Sequence, residues 1–308
     1  MSNYADLIWE NLSTEYLDLI LAAANLADKG HQGIVLVGGV VRDLLMGRPI
    51  RELDLMLDPP VRPLVEELAQ ISSAQLVSHE LFHTYTLHLP SGLKLDVVTA
   101  REETYRSPAA LPDVFPSTIS EDLKRRDFST NAMALWLNKD RYGELLDPFG
   151  GFTDLKKRSL RVLHPLSFVD DPTRIYRAAR FAGRFNFKLE EETEKFLLKA
   201  VSAGIPGFLS PVRRRHEFEL ILKEDNPVPA LKLLKEWNAL RFIHPDWDLK
   251  PDHIKTLNEL VPSHAMDVLA YRLVLWLKPW GQEAAKVMLT DLSFERHVKK
   301  KILMELGL

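Results

Sequence analysis

Two acids one residue apart, Glu52 and Asp54, follow a glycine pair and an arginine in LVGGVVRDLLMGRPIRELDLML, residues 36–57. On a strand, residues two apart leave the same face, so the two carboxylates would stand side by side. Carboxylates held that close repel unless something cationic lies between them, and in phosphoryl chemistry that cation is usually Mg²⁺. Upstream, Gly38-Gly39 lets the backbone approach a ligand, and free amides at a helix start favour anions. Arg42, one turn further, adds a fork of donors suited to phosphate. Gly-Gly alone would sooner read as a tight strand–helix turn with Arg42 on the surface. It is neither a dinucleotide fingerprint nor a Gly-Lys-Ser/Thr phosphate loop. The acid pair at this distance shifts the reading towards a phosphate with its metal, and Asp96 in LKLDVVTA offers a third carboxylate from a later strand.

The elements that must position these groups change character along the chain. Residues 34–37 read as a short buried strand, 40–46 as a helix running to Gly47, 53–57 as a second strand and 61–72 as a helix. Residues 84–89 alternate, and Pro90-Ser91-Gly92 turns them into 93–98 as a hairpin. The proline-bearing stretch 109–117 reads as an irregular loop. Beyond residue 163 the spacing is almost wholly helical, over 172–185, 191–201, 211–222, 227–240 and 266–277. The pattern predicts an α+β head followed by an all-helical body. One segment competes: HELFH, 79–83, fits the His-Glu-x-x-His pattern of a zinc hydrolase, which requires a helix. The alternation that follows immediately predicts a strand there instead, and no clear third ligand lies downstream.

Composition sets the outer bounds. The 308 residues suffice for about two domains. With no cysteine, disulfides, thiol nucleophiles and cysteine metal sites are excluded. Residues 1–30 lack the basic start and apolar centre of a secretory signal, and no apolar run approaches the roughly 20 residues of a membrane span. A cytoplasmic protein with no membrane and no evident protein partner is the expectation. A net charge of −3 speaks against a uniformly basic nucleic-acid binder. The runs Lys124-Arg125-Arg126, Lys156-Lys157-Arg158 and Arg213-Arg214-Arg215 read as solvated faces or as a local phosphate track.

Taken together, the ordered motifs resemble a known family, the class II tRNA nucleotidyltransferases with bacterial poly(A) polymerases as close relatives. GGVVRDLLMGRPIRELD is similar to its glycine-pair and metal-carboxylate motif, with Glu52 where the family has aspartate. LDVVTAREETY matches its third-carboxylate strand, and EDLKRRDFSTNAMA its Arg-Arg-Asp-Phe-Thr-x-Asn-Ala signature, with Ser129 for Thr. LLDPFGGFTDLKKRSLRVL resembles the block joining head to neck, and DDPTRIYRAARFAGRFNFKL the nucleotide-recognition helix, with Asp170 for Glu. These blocks cover about residues 35–189; LSPVRRRHEFELIL and ALKLLKEWNAL match more loosely.

The resemblance implies a nucleotidyltransferase palm with an antiparallel-type sheet over 1–163, a helical neck over 164–225 and a helical, RNA-binding body over 226–308. It implies that Glu52 and Asp54 hold Mg²⁺, that Asp96 is the third catalytic carboxylate, and that Gly38, Gly39 and Arg42 cradle the triphosphate. Arg126, Asp127 and Asn131 would position the nucleotide's phosphates and sugar, with Arg177 and Arg180 among the nucleotide-binding residues. Asp171 and Arg174 are neighbours on one helix face. A carboxylate only accepts hydrogen bonds and a guanidinium only donates. Such a pair matches the amino donor and ring-nitrogen acceptor that cytosine and adenine present, and opposes uracil and guanine. The segment by itself reads sooner as a helix cap bridged to Arg174, and the ordered motif set reverses that reading. The implied activity is transfer of CMP and/or AMP from CTP and/or ATP to a tRNA 3′ end. Poly(A) addition and a non-catalytic RNA-binding paralogue are the alternatives, the latter kept open by Glu52.

Overall fold

The computed structural model describes residues 3–50, 52–79, 83–257 and 267–306. Its chain divides into two units: Met1–Arg106, Pro112–Lys157 and Arg161–Leu163 form the first, and Ser107–Leu111, Arg158–Leu160 and His164–Leu308 the second.

The first unit opens with α1 (Ala5–Asn11) and α2 (Thr14–Lys29). Ser13 caps α2 by accepting from the Tyr16 amide, and Ile20, Ala23, Ala24 and Ala27 form a buried stripe at helical spacing. There follow β1 (Ile34–Val37), α3 (Gly39–Leu45), β2 (Leu53–Leu57), α4 (Arg62–Ile71), β3 (Gln75–His79), β4 (Thr84–His88) and β5 (Lys94–Thr99). Then come β6 (Arg101–Thr104), β7 (Asp113–Pro116), α5 (Ile119–Lys124), β8 (Ala134–Trp136), β9 (Leu145–Leu146) and α6 (Gly151–Lys156). Seven strands make one sheet in the order β3-β4-β5-β2-β1-β8-β9. β1, apolar at all four positions, is buried throughout between β2 and β8.

The antiparallel-type head is found, with one parallel pair inside it: β2 runs beside β5 in the same direction. The chain leaves β2, crosses in α4, lays down the β3–β4 hairpin at the sheet edge and comes back next to β2. Val35, Val37 and Met56 on one face pack with Ile119 and Leu123 of α5. Part of 109–117 is not loop: β7 pairs antiparallel with β6 in a separate two-stranded ribbon. Pro116 is its last residue, a place where a missing amide costs no ladder bond inside the main sheet.

The second unit holds β10 (Ser159–Leu160), α7 (Ser167–Asp170), α8 (Thr173–Phe185), β11 (Lys188–Leu189), α9 (Glu191–Ser202) and α10 (Pro211–Leu222). It continues through α11 (Val228–Glu236), α12 (Pro251–Leu257), α13 (Val268–Leu277), α14 (Gln282–Asp291) and α15 (Arg296–Glu305). The short parallel pair β10–β11 is the departure from all-helical structure. The helix read at 266–277 is seen from Val268 on, residue 266 lying outside the described residues. Phe218 anchors the core, its ring 4.5 Å from Trp247 and 5.1 Å from Trp276.

Helix α8 lies so close to α11 that a Cβ on Gly183 would stand 2.9 Å from the Ala230 amide nitrogen. Gly183→Val is therefore expected to lower the urea midpoint by an amount equivalent to about 1–3 kcal/mol, the cost of overpacking. An unchanged midpoint would mean that the two helices separate without cost.

Candidate active site

The register of β2 against β5 sets Asp54 directly opposite Asp96. Paired residues on neighbouring strands project from the same sheet face, so the two carboxylates face the same side. Glu52 is exposed and stands just ahead of β2. The Asp54 carboxyl is pushed up to about 6, first by burial and next by the negative charge of Asp96. Glu52 pushes the same way, and Arg126 and Lys94 oppose it. Asp96 accepts from Thr86 Oγ1 and from Lys94 Nζ, each at 2.6 Å. This is a site with more negative charge than its own cations balance.

Among the described residues, no three His, Asp or Glu side chains form a group able to hold a metal ion by themselves. Mg²⁺ asks for less: it keeps several waters and takes one or two carboxylates together with substrate phosphates. Asp54, partly buried and short of counter-charge, fits that demand, with Glu52 beside it. Of the segment 79–83 that a zinc site would need as a helix, the described residues His79 and His83 are not helical. His79 ends β3 and Thr84 begins β4, so the two histidines flank successive antiparallel strands; Glu80 lies outside the described residues.

Gly38 adopts φ +77° at the start of α3, a conformation that disfavours any side chain, and a Cβ there would meet Arg126 Nη1 at 2.8 Å. Arg126 thus lies against the glycine turn, and its charge also reaches Asp54. Its other donors go to Asp122 Oδ1, at 3.0 and 3.2 Å. Arg42 is buried rather than a surface residue. It donates to Asn131 Oδ1 at 2.7 Å and to both oxygens of Asp43. Asn131 in turn donates to Asp127 Oδ1, which also accepts the Phe128 amide. Arg42, Asn131 and Asp127 therefore brace the 3₁₀ turn Ser129–Asn131 beside the glycines, with the Arg126 guanidinium bordering Gly38 and Arg42 Nη2 bordering Gly39.

In the second unit, Asp171 sits at the entry to α8 and Oδ1 accepts from the Thr173 amide, Thr173 Oγ1 and Arg213 Nη2. Arg174 is buried and donates to Ser167 Oγ. Arg177 lies over the Phe181 ring at 5.3 Å. Arg180 is buried 3.7 Å from Glu224, and its Nε has no hydrogen-bond partner among the described residues.

Several of these partners escape a reading of the sequence. Asp122, fully buried, accepts from Arg125, Arg126 and the Arg101 amide. Its spacing from Arg125 and Arg126 at the end of α5, three and four residues, was a usable signal. Arg213 lies 42 residues from Asp171 and gives no such signal. Two of the three basic runs are largely consumed internally. Arg125 and Arg126 meet Asp122, Arg213 meets Asp171, and Arg214 and Arg215 donate to the Phe242 and Ser293 carbonyls. The third run, Lys156-Lys157-Arg158, is exposed at all three positions and stays open to a phosphate track.

A mixed sheet carrying paired carboxylates beside a glycine turn, followed by a helical unit, defines the chain as a nucleotidyltransferase head with a helical partner. Residues 34–161 match the poly(A) polymerase head domain, and 186–250 the probable RNA- and SrmB-binding site of polymerase A. The A-adding tRNA nucleotidyltransferase of Aquifex aeolicus is 40% identical over 85% of this chain and 31% of its own length. The CC-adding tRNA nucleotidyltransferase of Deinococcus radiodurans is 40% identical over 67% of this chain and 54% of its own. A solved CCA-adding enzyme in its apo form II superposes with a TM-score of 0.82 at 35% identity, over 98% of this chain and 73% of that one. The chain belongs to this family, that of the tRNA nucleotidyltransferases built on the poly(A) polymerase head. It spans about a third to a little over half of the length of these two curated relatives.

The Asp54 shift has a testable sign. Its folded value of about 6 lies above the ordinary 3.8, so between those pH values the folded protein holds a proton that the unfolded chain has lost. Stability therefore falls as pH rises from about 4 to about 6, by an amount on the order of 3 kcal/mol. Asp54→Asn is expected to raise the melting temperature of the metal-free protein at pH 8 and to leave it nearly unchanged at pH 4. An equal gain at both pH values would show that Asp54 carries no such penalty.

Proposed function

We propose that the protein transfers CMP and/or AMP from CTP and/or ATP to the 3′ end of tRNA and releases pyrophosphate. The observation that carries this reading is the register that puts Asp54 against Asp96 in the same unit as the Gly38–Arg126 turn. The relatives named as A-adding, CC-adding and CCA-adding enzymes support the substrate class, and the longer sequence match, to the A-adding one, favours AMP. In this reading Asp54 and Glu52 bind Mg²⁺, which supplies Lewis-acid stabilisation of the charge that develops on the triphosphate. Arg126 and the amides after Gly38 hold the phosphates. Asp96, kept in place by Thr86 and Lys94, faces the attacking hydroxyl. Asp171 and Arg174 select cytosine or adenine, and the body beyond residue 225 holds RNA. No helix among the described residues is long and apolar enough to cross a membrane, which is compatible with work in the cytoplasm.

The discriminating experiment offers tRNA transcripts ending before CCA, at C or at CC, together with labelled CTP or ATP. Single A addition to CC ends, CC addition, full CCA and long A tracts each identify a different activity. Incorporation on no end, with Mg²⁺ or Mn²⁺, would leave a non-catalytic RNA-binding protein.

Glu52 tests the metal assignment within this scheme. Glutamate extends the carboxylate by about 1.5 Å relative to the family's aspartate, and displacements of about 1 Å in a catalytic constellation cost on the order of 10²-fold. Glu52→Asp is expected to raise turnover, while Asp54→Ala abolishes it. A Glu52→Asp enzyme slower than wild type would mean that the longer side chain is matched to its surroundings.

Base choice is the third measurable property. Arg174→Ala removes the donor to the ring nitrogen and is expected to cut discrimination for CTP and ATP by roughly 10- to 100-fold, the worth of one hydrogen bond to a charged group. Unaltered selectivity in steady-state kinetics would remove Arg174 from the base-reading pair.

A further inference from the structure

The two oxygens of Asp171 are treated differently by the fold. Oδ1 accepts three hydrogen bonds: from the Thr173 amide at 3.1 Å, from Thr173 Oγ1 at 2.7 Å and from Arg213 Nη2 at 2.8 Å. Oδ2 receives none from the described residues, and the side chain keeps 22% of its surface exposed. The cap and the base-reading roles of Asp171 are thereby divided between its oxygens. One oxygen holds the helix entry and the other stays open to an incoming donor.

The donors that fix Oδ1 are themselves fixed. Thr173 is buried in the first turn of α8, and its two branches at Cβ leave few rotamers. Arg213 lies in the first turn of α10, where its own amide is capped by Ser210 Oγ. Its second terminal nitrogen, Nη1, donates to the Ala109 carbonyl at 2.7 Å. Ala109 belongs to the segment Ser107–Leu111, which is part of the same unit despite its place in the head's sequence. A planar fork tied at both prongs cannot swing, so its hydrogen bond to Asp171 is held in direction as well as in length.

Orientation matters because the outer torsion of an aspartate is broad and roughly two-fold. A carboxylate free to turn presents an acceptor over a wide arc, and a base carrying its donor in another place can still find it. A carboxylate locked by three donors offers one acceptor in one direction. We propose that Thr173 and Arg213 are positioning residues for base selection: they saturate Oδ1 of Asp171 so that Oδ2 alone is presented to the exocyclic amino group of cytosine or adenine. This rests on the reading of Asp171 and Arg174 as the base-selecting pair, and it extends that pair to a second layer on another helix.

The test is nucleotide affinity by calorimetry on the full chain with Mg²⁺, comparing CTP and ATP with UTP and GTP. Thr173→Val keeps the shape and the amide but removes the hydroxyl donor, and Arg213→Met removes the fork independently. Each is expected to narrow the preference by roughly 10-fold, about one hydrogen bond to a charged group, and Thr173→Ser to restore it. The control is Asp171→Ala, which should erase the preference. If it does so while Thr173→Val and Arg213→Met keep the wild-type ratio, or weaken all four nucleotides equally, the positioning role is wrong. If Asp171→Ala itself leaves the preference intact, the base-selecting pair is wrong, and the positioning role falls with it.

Discussion

The parallel pairing of β2 with β5 is the constraint on which the candidate site depends. It is the one parallel pair in an otherwise antiparallel sheet, and it sets Asp54 level with Asp96. The α4 crossover and the β3–β4 hairpin exist, in this sense, to bring β5 back beside β2 in the same direction. Burial of Asp54, and next the like charge of Asp96, make its charged form unfavourable in the protein alone. Burial next to a like charge is tolerated where a ligand relieves it, and a divalent cation with a triphosphate is such a ligand.

Around this strained centre the unit is tied by ion pairs whose members are mostly withdrawn from solvent. Asp122 holds Arg125 and Arg126, Glu103 holds Arg101 and Arg125, and Asp43 and Asn131 hold Arg42. Such networks contribute geometry more than net stability, because the desolvation of each charge offsets much of the attraction. Their effect here is to fix Arg126 against Gly38, where the proposed function would have it meet phosphate. The second unit repeats the device at Asp171, where Thr173 and Arg213 orient a carboxylate that would otherwise turn freely.

Local periodicity carried much of this in the sequence. The strands near 34–37, 53–57, 84–89 and 93–98 and the long helices after residue 163 follow from spacing alone, and the structure has them with small shifts at the ends. The acid pair and the glycine turn were legible because each is a short-range pattern. The parallel direction of β5 was not, since a strand's sequence does not state which neighbour it will meet. Pro112 and Pro116 hid β7, because prolines read as loop although they are tolerated at the ends of an isolated ribbon. The run Arg213-Arg214-Arg215 looked like a solvated face or a phosphate track, yet its partners Asp171, Phe242 and Ser293 lie tens of residues away. The burial of Arg42 against Asn131 was illegible for the same reason, for Asn131 is 89 residues distant.

The central claim, that Asp54 and Asp96 are held together without enough counter-charge so that a divalent cation completes them, is open to direct measurement. Mn²⁺ can be titrated into the full chain and followed by its electron paramagnetic resonance signal, with nucleotide present. Wild-type protein should take up Mn²⁺ at pH 7.5, lose affinity as pH falls through about 6 where Asp54 regains its proton, and fail to bind once Asp54 is replaced by asparagine. Binding of the same strength in Asp54→Asn, or affinity that does not change between pH 7.5 and pH 5, would contradict the account.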